Sequence, residues 1–270
     1  VDDRTEDERC VASPKFTAKS RFGSVSRYLS AAEELNDVEA RFNKGVLAKL
    51  DGVLDEKLAR HIAHLYCRDP LVVFAGELAN NSFDPNALDR FDNIQSTNWQ
   101  TVRFKPPSSE RDGWRVEFRP MDIQLTDTEN AAASVFVALF SRLILSRPDL
   151  DFCIPLSLVD KNVAAAQERD AIVRHKFWFK VDGKVAEYSI LEIYGHLMQL
   201  FDTLLQSSPE LPKTRSYLQL LKERADGVRQ TNARYIRDFF LRHPLYKRDS
   251  LVTQAMCDDL VDHILAMAKK

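Results

Sequence analysis

Gly113-Trp114-Arg115-Val116-Glu117-Phe118-Arg119-Pro120-Met121-Asp122 alternates apolar and charged residues from Trp114 to Arg119. Successive side chains of a strand point to opposite faces. As a strand, this stretch puts Arg115, Glu117 and Arg119 on one face and Trp114, Val116 and Phe118 on the other. The apolar row is expected to pack on a core. The charged row holds a carboxylate between two guanidinium groups, a set that suits a divalent metal and a phosphoryl group together. Carboxylate oxygen is a hard ligand for Mg²⁺, and Arg offers phosphate a forked donor pair. The same alternation also describes the solvated face of an ordinary antiparallel strand. Alternation alone leaves both readings open.

Upstream, Trp99 to Phe104 reads as a second strand, and the polar connector from Lys105 to Gly113 carries Pro106, Pro107, Ser108 and Ser109. The pair predicts a β-hairpin over about 99–119 with a long loop. Arg103 alternates with Trp99 and Thr101, so antiparallel pairing lays it across from the charged row. Asn93, Gln95, Ser96, Thr97 and Asn98 crowd neutral hydrogen-bonding groups just before Trp99. They suit either a substrate pocket walled by Trp99 or a polar loop before a core Trp. A two-stranded hairpin is marginal alone, so its partner strands are expected outside this chain.

The rest reads mostly as helix. Apolar spacing predicts helices over 30–50 and 54–67, the second with Leu54, Leu58, Ile62 and Leu65 on one face and ended by Arg68-Asp69-Pro70. Residues 80–93 read as a loop. Thr126 or Thr128 caps a helix through Leu145, followed by one over 157–176 capped by Ser157 or Asp160. A short hairpin is expected around Asp182-Gly183, then helices near 187–207, 214–225, 228–242 and 250–269. The fold class is α+β: residues 1–125 form part of a sheet domain with two helices, and 126–270 a helical region packed on it.

The net charge of −2 over 270 residues gives no global basic field for nucleic acid. The basic residues from Lys222 to Arg248 have acidic neighbours and read as solvated helix faces. The apolar run from Ala131 to Leu145 contains Ser134, Ser141 and Arg142, and reads as too short and too polar to span a bilayer. No nucleic acid or membrane partner is expected. The four cysteines, Cys10, Cys67, Cys153 and Cys257, show no C-x-x-C spacing and read as free thiols of a cytoplasmic protein. Eight glycines include no phosphate-binding loop. A nucleotide site must therefore use side chains and metal ions. The first residue is Val, which reads as a fragment or processed chain.

His61 and His64 stand at i, i+3, a spacing that can hold zinc, but no third ligand follows at a recognised spacing. They read as packing or capping residues. Arg4, in the charged opening Asp2-Asp3-Arg4, reads as either a carboxylate clamp or part of a frayed terminus.

These blocks together resemble the eukaryotic-type glutamate–cysteine ligases (γ-glutamylcysteine synthetases), in the carboxy-terminal portion of the catalytic subunit. The resemblance rests on Asp2-Asp3-Arg4 with Glu8-Arg9, on His61 to Leu65 with Arg68-Asp69-Pro70-Leu71, and on Asn93 to Trp99 with Arg103 to Pro107. It continues through Gly113 to Asp122, Gln124 to Asp127, Val159 to Asn162, Ala166 to Ala171, and Arg234 with His243-Pro244 and Tyr246 to Ser250. The blocks run nearly the whole length in the family's order.

The resemblance implies a glutamine-synthetase-like antiparallel sheet and an ATP- and Mg²⁺-dependent reaction. That reaction joins the glutamate γ-carboxylate to the cysteine amine through γ-glutamyl phosphate, the first step of glutathione synthesis. It implies Glu117 as a Mg²⁺ ligand, Arg119 as the residue stabilising the transferring phosphoryl group, and Arg4, Trp99 and Arg103 as substrate contacts. Glutamate, cysteine and ATP are the implied substrates, and a modifier subunit is a further candidate partner. Three departures stand out. The family's amino-terminal half is missing, so the fragment alone is expected to be inactive. Phe22 stands where many relatives have Tyr, and the segment from Lys180 to Gln206 lacks the family's Gly-rich stretch. A non-catalytic regulatory or interaction fragment derived from such a ligase is the alternative.

Overall fold

The computed structural model describes residues 29–66 except 31, residues 91 and 94, and residues 102–268 except 106, 108, 110 and 206–210. Two compact units emerge. One comprises Thr17–Pro120 with Pro155–Asp160, and the other includes Met121–Ile154 and Lys161–Lys270. Among the described residues the architecture is α+β, with two antiparallel hairpins and a mostly helical carboxy-terminal part.

In the first unit, helix α1 (Lys44–Leu50) and helix α2 (Glu56–Leu65) form a helical hairpin. Asn43 is its fastener. Its Oδ1 accepts from Val46 N at 3.1 Å, its Nδ2 donates to Tyr66 O at 3.0 Å, and its N–H donates to Ala63 O at 3.0 Å. The helix expected over 30–50 is therefore shortened to a 3-10 turn at Glu33–Leu35 and α1. The physical reason is competition from side chains: Asn36 Oδ1 takes the N–H of Ser30, and Asn43 caps α1. Asp55 caps α2 through Leu58 N. The buried face of α2 is Ala59, Ala63 and Leu65, whereas Leu58, expected on it, is exposed. The expected stop at 68–70 and the loop at 80–93 fall essentially outside the described residues.

Strands β1 (Val102–Lys105) and β2 (Arg115–Phe118) pair antiparallel, with Arg103 opposite Glu117 and Lys105 opposite Arg115. The apolar row does not pack on a core: Trp114, Val116 and Phe118 are 66%, 64% and 44% exposed. Among the described residues each strand of this ribbon has one neighbour and no second layer, so its apolar face stays open.

In the second unit, Thr126 caps helix α3 (Asp127–Ser146), its Oγ1 accepting from Glu129 N at 3.3 Å. At 20 residues α3 is, by length and composition, apolar enough to cross a bilayer, contrary to the expectation from the shorter run. Its Leu139 and Leu143 pack with Leu197, Phe201, Leu205 and Leu218 in the main core. Those partners come from helix α6 (Ile190–Leu205) and helix α7 (Leu211–Ala225). Aromatic rings extend the core, with Phe136 edge-on to Phe201 at 5.6 Å and Phe152 against Phe179 at 5.7 Å. Tyr194 Oη donates to Leu218 O at 2.8 Å, and burial pushes its phenol up to about 12.

The single helix expected over 157–176 is instead α4 (Leu156–Ala166) and a short α5 (Ala171–Arg174), broken where Asp170 adopts a left-handed φ of 54°. Ser157 does not cap α4. Its N–H donates to Asp37 Oδ1 at 2.9 Å. Strands β3 (Lys176–Val181) and β4 (Lys184–Ser189) form the hairpin expected at Asp182-Gly183. Both turn residues have positive φ, 48° and 77°, the signature of a type I′ turn. Helix α8 (Asn232–Arg242), capped by Thr231, and helix α9 (Gln254–Ala268) complete the chain as described.

Candidate functional site

The register of β1 and β2 assembles the charged site. Glu117 lies on β2 opposite Arg103 of β1, the cross-strand position expected for Arg103. Two cations hold the Glu117 carboxylate, one on each oxygen. Arg119 NH1 donates to Oε1 at 3.0 Å, and Lys105 Nζ lies 3.2 Å from Oε2. Arg119, two residues on, reaches the carboxylate from the same chain segment. Lys105 reaches it from the other strand.

These pairs are part-exposed, at 21% for the Arg119 side chain, 30% for Glu117 and 44% for Lys105. Ion pairs this exposed contribute about 1 kcal/mol or less each to stability. Their value is positional: two positive groups are fixed on either side of one carboxylate. Such an array can meet phosphoryl or carboxylate oxygens with the guanidinium fork and the ammonium point charge. Arg115, the third residue of the expected row, is exposed.

Lys105 was missed in the sequence, where it reads as the start of the connector. Only the pairing register, which extends β1 to Lys105, identifies it as a strand residue facing Glu117. Arg4 and Trp99 lie outside the described residues.

As a metal site, the arrangement fits Mg²⁺ in a limited sense. Mg²⁺ commonly takes one or two carboxylates together with waters and substrate phosphates. Glu117 offers one such carboxylate. Among the described residues no cluster of three or more His, Cys, Asp or Glu side chains is formed. His64 Nδ1 lies 2.8 Å from Arg41 O, and its ring meets Phe42 edge-on at 6.4 Å. Burial, then the charge of His64, lowers His61 to about 4. Cys153 and Cys257 are free thiols, and burial pushes the Cys153 thiol up, away from thiolate reactivity.

Not all the basic residues of the carboxy-terminal half are solvated, as expected from their spacing. Arg224 is nearly buried, 3.1 Å from Glu129 Oε1. Arg229 NH1 lies 3.3 Å from the same oxygen, and its NH2 lies 3.0 Å from Glu223 Oε2. A carboxylate buried in the first turn of α3 needs such partners, and the charge spacing along α7 carries no sign of that distant acid.

Comparison with known proteins gives a consistent result. The family described as "Glutamate-cysteine ligase" matches residues 1–267. The chain is 41% identical over 303 residues to the human "Glutamate--cysteine ligase catalytic subunit", covering 97% of this chain and 47% of that protein. It is 41% identical to the "Glutamate--cysteine ligase" of Schizosaccharomyces pombe, covering 98% of this chain and 43% of the relative. The Saccharomyces cerevisiae "Glutamate--cysteine ligase" is 36% identical, with 97% and 47% covered. The chain spans about half the length of the curated relatives it matches.

Proposed function

We propose that this chain, which belongs to the glutamate–cysteine ligase family, supplies part of an active centre that joins glutamate to cysteine at the expense of ATP. The observation that carries the reading is the Glu117 carboxylate held between Arg119 and Lys105 on the β1–β2 hairpin. In the proposed reaction a γ-carboxylate oxygen of glutamate attacks the terminal phosphorus of ATP, and ADP leaves. The cysteine amine then attacks the acyl carbon of γ-glutamyl phosphate, loses a proton, and phosphate departs.

Negative charge builds on phosphoryl oxygens in the first step and on the acyl and leaving oxygens in the second. Fixed positive groups aimed at that charge are the strongest single aid to such a reaction. Arg119 is assigned to the transferring phosphoryl group, and Lys105 adds a second cation beside it. Glu117 keeps both cations in register and would hold Mg²⁺ through a carboxylate oxygen. When bound, Mg²⁺ supplies Lewis-acid neutralisation of phosphate oxygens. Arg103, opposite Glu117, and Arg4 and Trp99 are assigned to substrate carboxylates and pocket wall. The glutamine-synthetase-like sheet, completed by strands outside this chain, is part of the same proposal. The name "catalytic subunit" carried by the human relative favours a modifier subunit as partner.

The test is phosphate release from ATP by the full-length protein, wild type beside Glu117→Gln, with and without glutamate and cysteine. Release that needs both amino acids and is lost in Glu117→Gln is the expected result. Survival of turnover in Glu117→Gln would overturn the site assignment, and absence of turnover in wild type would favour the non-catalytic alternative. This chain alone, bringing a single candidate metal carboxylate on its hairpin, is expected to release no phosphate under the same conditions.

A further inference from the structure

Arg119 is followed by an exposed stretch, Pro120-Met121-Asp122-Ile123, in which the apolar Met121 and Ile123 are 42% and 85% exposed. Apolar packing does little to fix this stretch, and a segment with few buried contacts is ordinarily among the first to open. Its backbone is nevertheless held by side chains. Asp122 O accepts from Gln124 Nε2 at 2.6 Å, and Ile123 O accepts from Asn232 Nδ2 at 2.7 Å. The backbone of Gln124 is gripped on both sides. Its N–H donates to Asn130 Oδ1 at 2.9 Å, and its O accepts from Asn130 Nδ2 at 3.3 Å.

This clasp has a buried base. Arg224 NH1 donates to Gln124 Oε1, and Arg224 NH2 donates to Asn232 Oδ1 at 3.1 Å. The guanidinium is nearly buried and lies 3.1 Å from the Glu129 carboxylate. Hydrogen bonds from a charged donor are the stronger ones, and a buried charge cannot move away without stranding its partners. The Gln124 amide is therefore a two-ended link. Arg224 of α7 fixes its oxygen, and its nitrogen carries that position to the Asp122 carbonyl. Asp122 stands three residues beyond Arg119, a span of at most about 11 Å. Completing the start of α3 takes only Thr126 and Asn130, so it does not account for a link that runs from a buried arginine back to Asp122.

We propose that Gln124 is a positioning residue for Arg119, with Arg224, Asn130 and Asn232 as its supports. The role rests on the assignment of Arg119 to the transferring phosphoryl group. It is exerted through the chain itself and needs no contact between the hairpin and the helices. A charge-stabilising group is effective only when it is held where the charge develops, and a shift of about 1 Å that starts far from the chemistry can cost about 10²-fold in rate. The clasp shortens the free run of chain after Arg119 to Pro120 and Met121, and so limits how far the guanidinium can stray.

The test is a double-mutant cycle on kcat in the full-length protein, read by phosphate release from ATP with glutamate and cysteine present. Gln124→Met keeps the side-chain length and removes both amide bonds. It should lower kcat about tenfold, with each KM within about twofold of wild type. In the Arg119→Lys background the same change should cost less than about twofold, because residues that act as one unit are not additive. Asn162→Ala, which frees α4 from Trp178, controls for lost stability and should keep the wild-type kcat. Unchanged kcat in Gln124→Met beside a lowered kcat in Arg119→Lys would overturn the positioning role and leave the assignment of Arg119 standing. An equal loss in both backgrounds, or an equal loss in Asn162→Ala, would overturn it too. Wild-type kcat in Arg119→Lys, or no release by wild type, would overturn the reading of the hairpin and the positioning role with it. If Gln124→Met does not fold by circular dichroism, Gln124→Glu decides by the same cycle, since it keeps an oxygen for Arg224 but has no N–H for Asp122 O.

Discussion

Arg224 NH2 lies 3.1 Å from Glu129 Oε1, and the two side chains are only 14% and 10% exposed. The same guanidinium donates to Asn232 Oδ1 at 3.1 Å and to Gln124 Oε1. Asn232 Nδ2 in turn donates to Ile123 O at 2.7 Å. One network thus ties residues 123–129 to the end of α7 and the start of α8.

Removing one member leaves a buried charge short of partners. Arg224→Met should therefore lower stability by about 3 kcal/mol, read as a shift of the urea midpoint at neutral pH. Glu129 keeps Arg229, so the loss should stop short of unfolding the chain. A change below about 1 kcal/mol would mean that the pair is solvated in solution.

The hairpin cations should separate in their kinetic effects. In the full-length protein, Arg119→Lys should reduce kcat by about 10²-fold, the scale of losing a group that stabilises transition-state charge. Lys105→Met should lose less, about tenfold, because Lys105 is the more exposed of the two and offers a point charge without a fork. Steady-state phosphate release measures both. A rise in KM with kcat intact for Arg119→Lys would make Arg119 a ground-state contact only.

His61 gives the first unit a pH dependence. Burial, with His64 adding to it, lowers its folded-state value to about 4 from about 6.5. Below pH 6.5 the unfolded chain therefore binds the proton first, and stability falls as pH drops from about 6.5 towards 4. Allowing for the ring's partial exposure, the effect should be on the order of 1–2 kcal/mol. Between pH 7.5 and 4.5 the urea midpoint of wild type should fall relative to that of His61→Phe, which lacks the titrating ring. Parallel curves would show that His61 does not carry the effect.

The hairpin, the Thr126 cap and the Asp182-Gly183 turn were legible because each depends on local chemistry: alternation, a side-chain acceptor, a residue tolerant of positive φ. The failures share a different cause. The helix over 30–50 broke up because Asn36 and Asn43 found backbone partners that periodicity does not register. The open face of Trp114, Val116 and Phe118 follows from how many strands lie beside β2, which a strand's own residues do not encode. Lys105 and Arg224 have partners 12 and 95 positions away in sequence. The family resemblance implied a reaction and included Lys105 in a motif, but gave a role to neither residue.

Asn162 fastens α4 to the edge of the second hairpin. Its Oδ1 accepts from Trp178 N at 2.7 Å, and its Nδ2 donates to Trp178 O at 2.8 Å. Asn162→Ala strands both backbone groups at once and should cost about 2 kcal/mol. Hydrogen exchange should show Trp178 N–H losing protection before the rest of β3. Unchanged protection there would mean that water replaces the side chain without loss.

The type I′ turn at Asp182-Gly183 has a consequence for the order of assembly. β3, β4 and α6 are contiguous, from Lys176 to Leu205, so their contacts close short loops. Such hairpins form in about 1–10 μs, well before α3 can be recruited from 30 or more residues upstream at the higher entropic cost of a longer loop. This contiguity makes the hairpin the expected nucleus, with α3 arriving later to seal Phe201 from water. Replacing Gly183 with a β-branched residue should therefore slow refolding more than it accelerates unfolding, whereas trimming Leu143 on α3 should do the reverse.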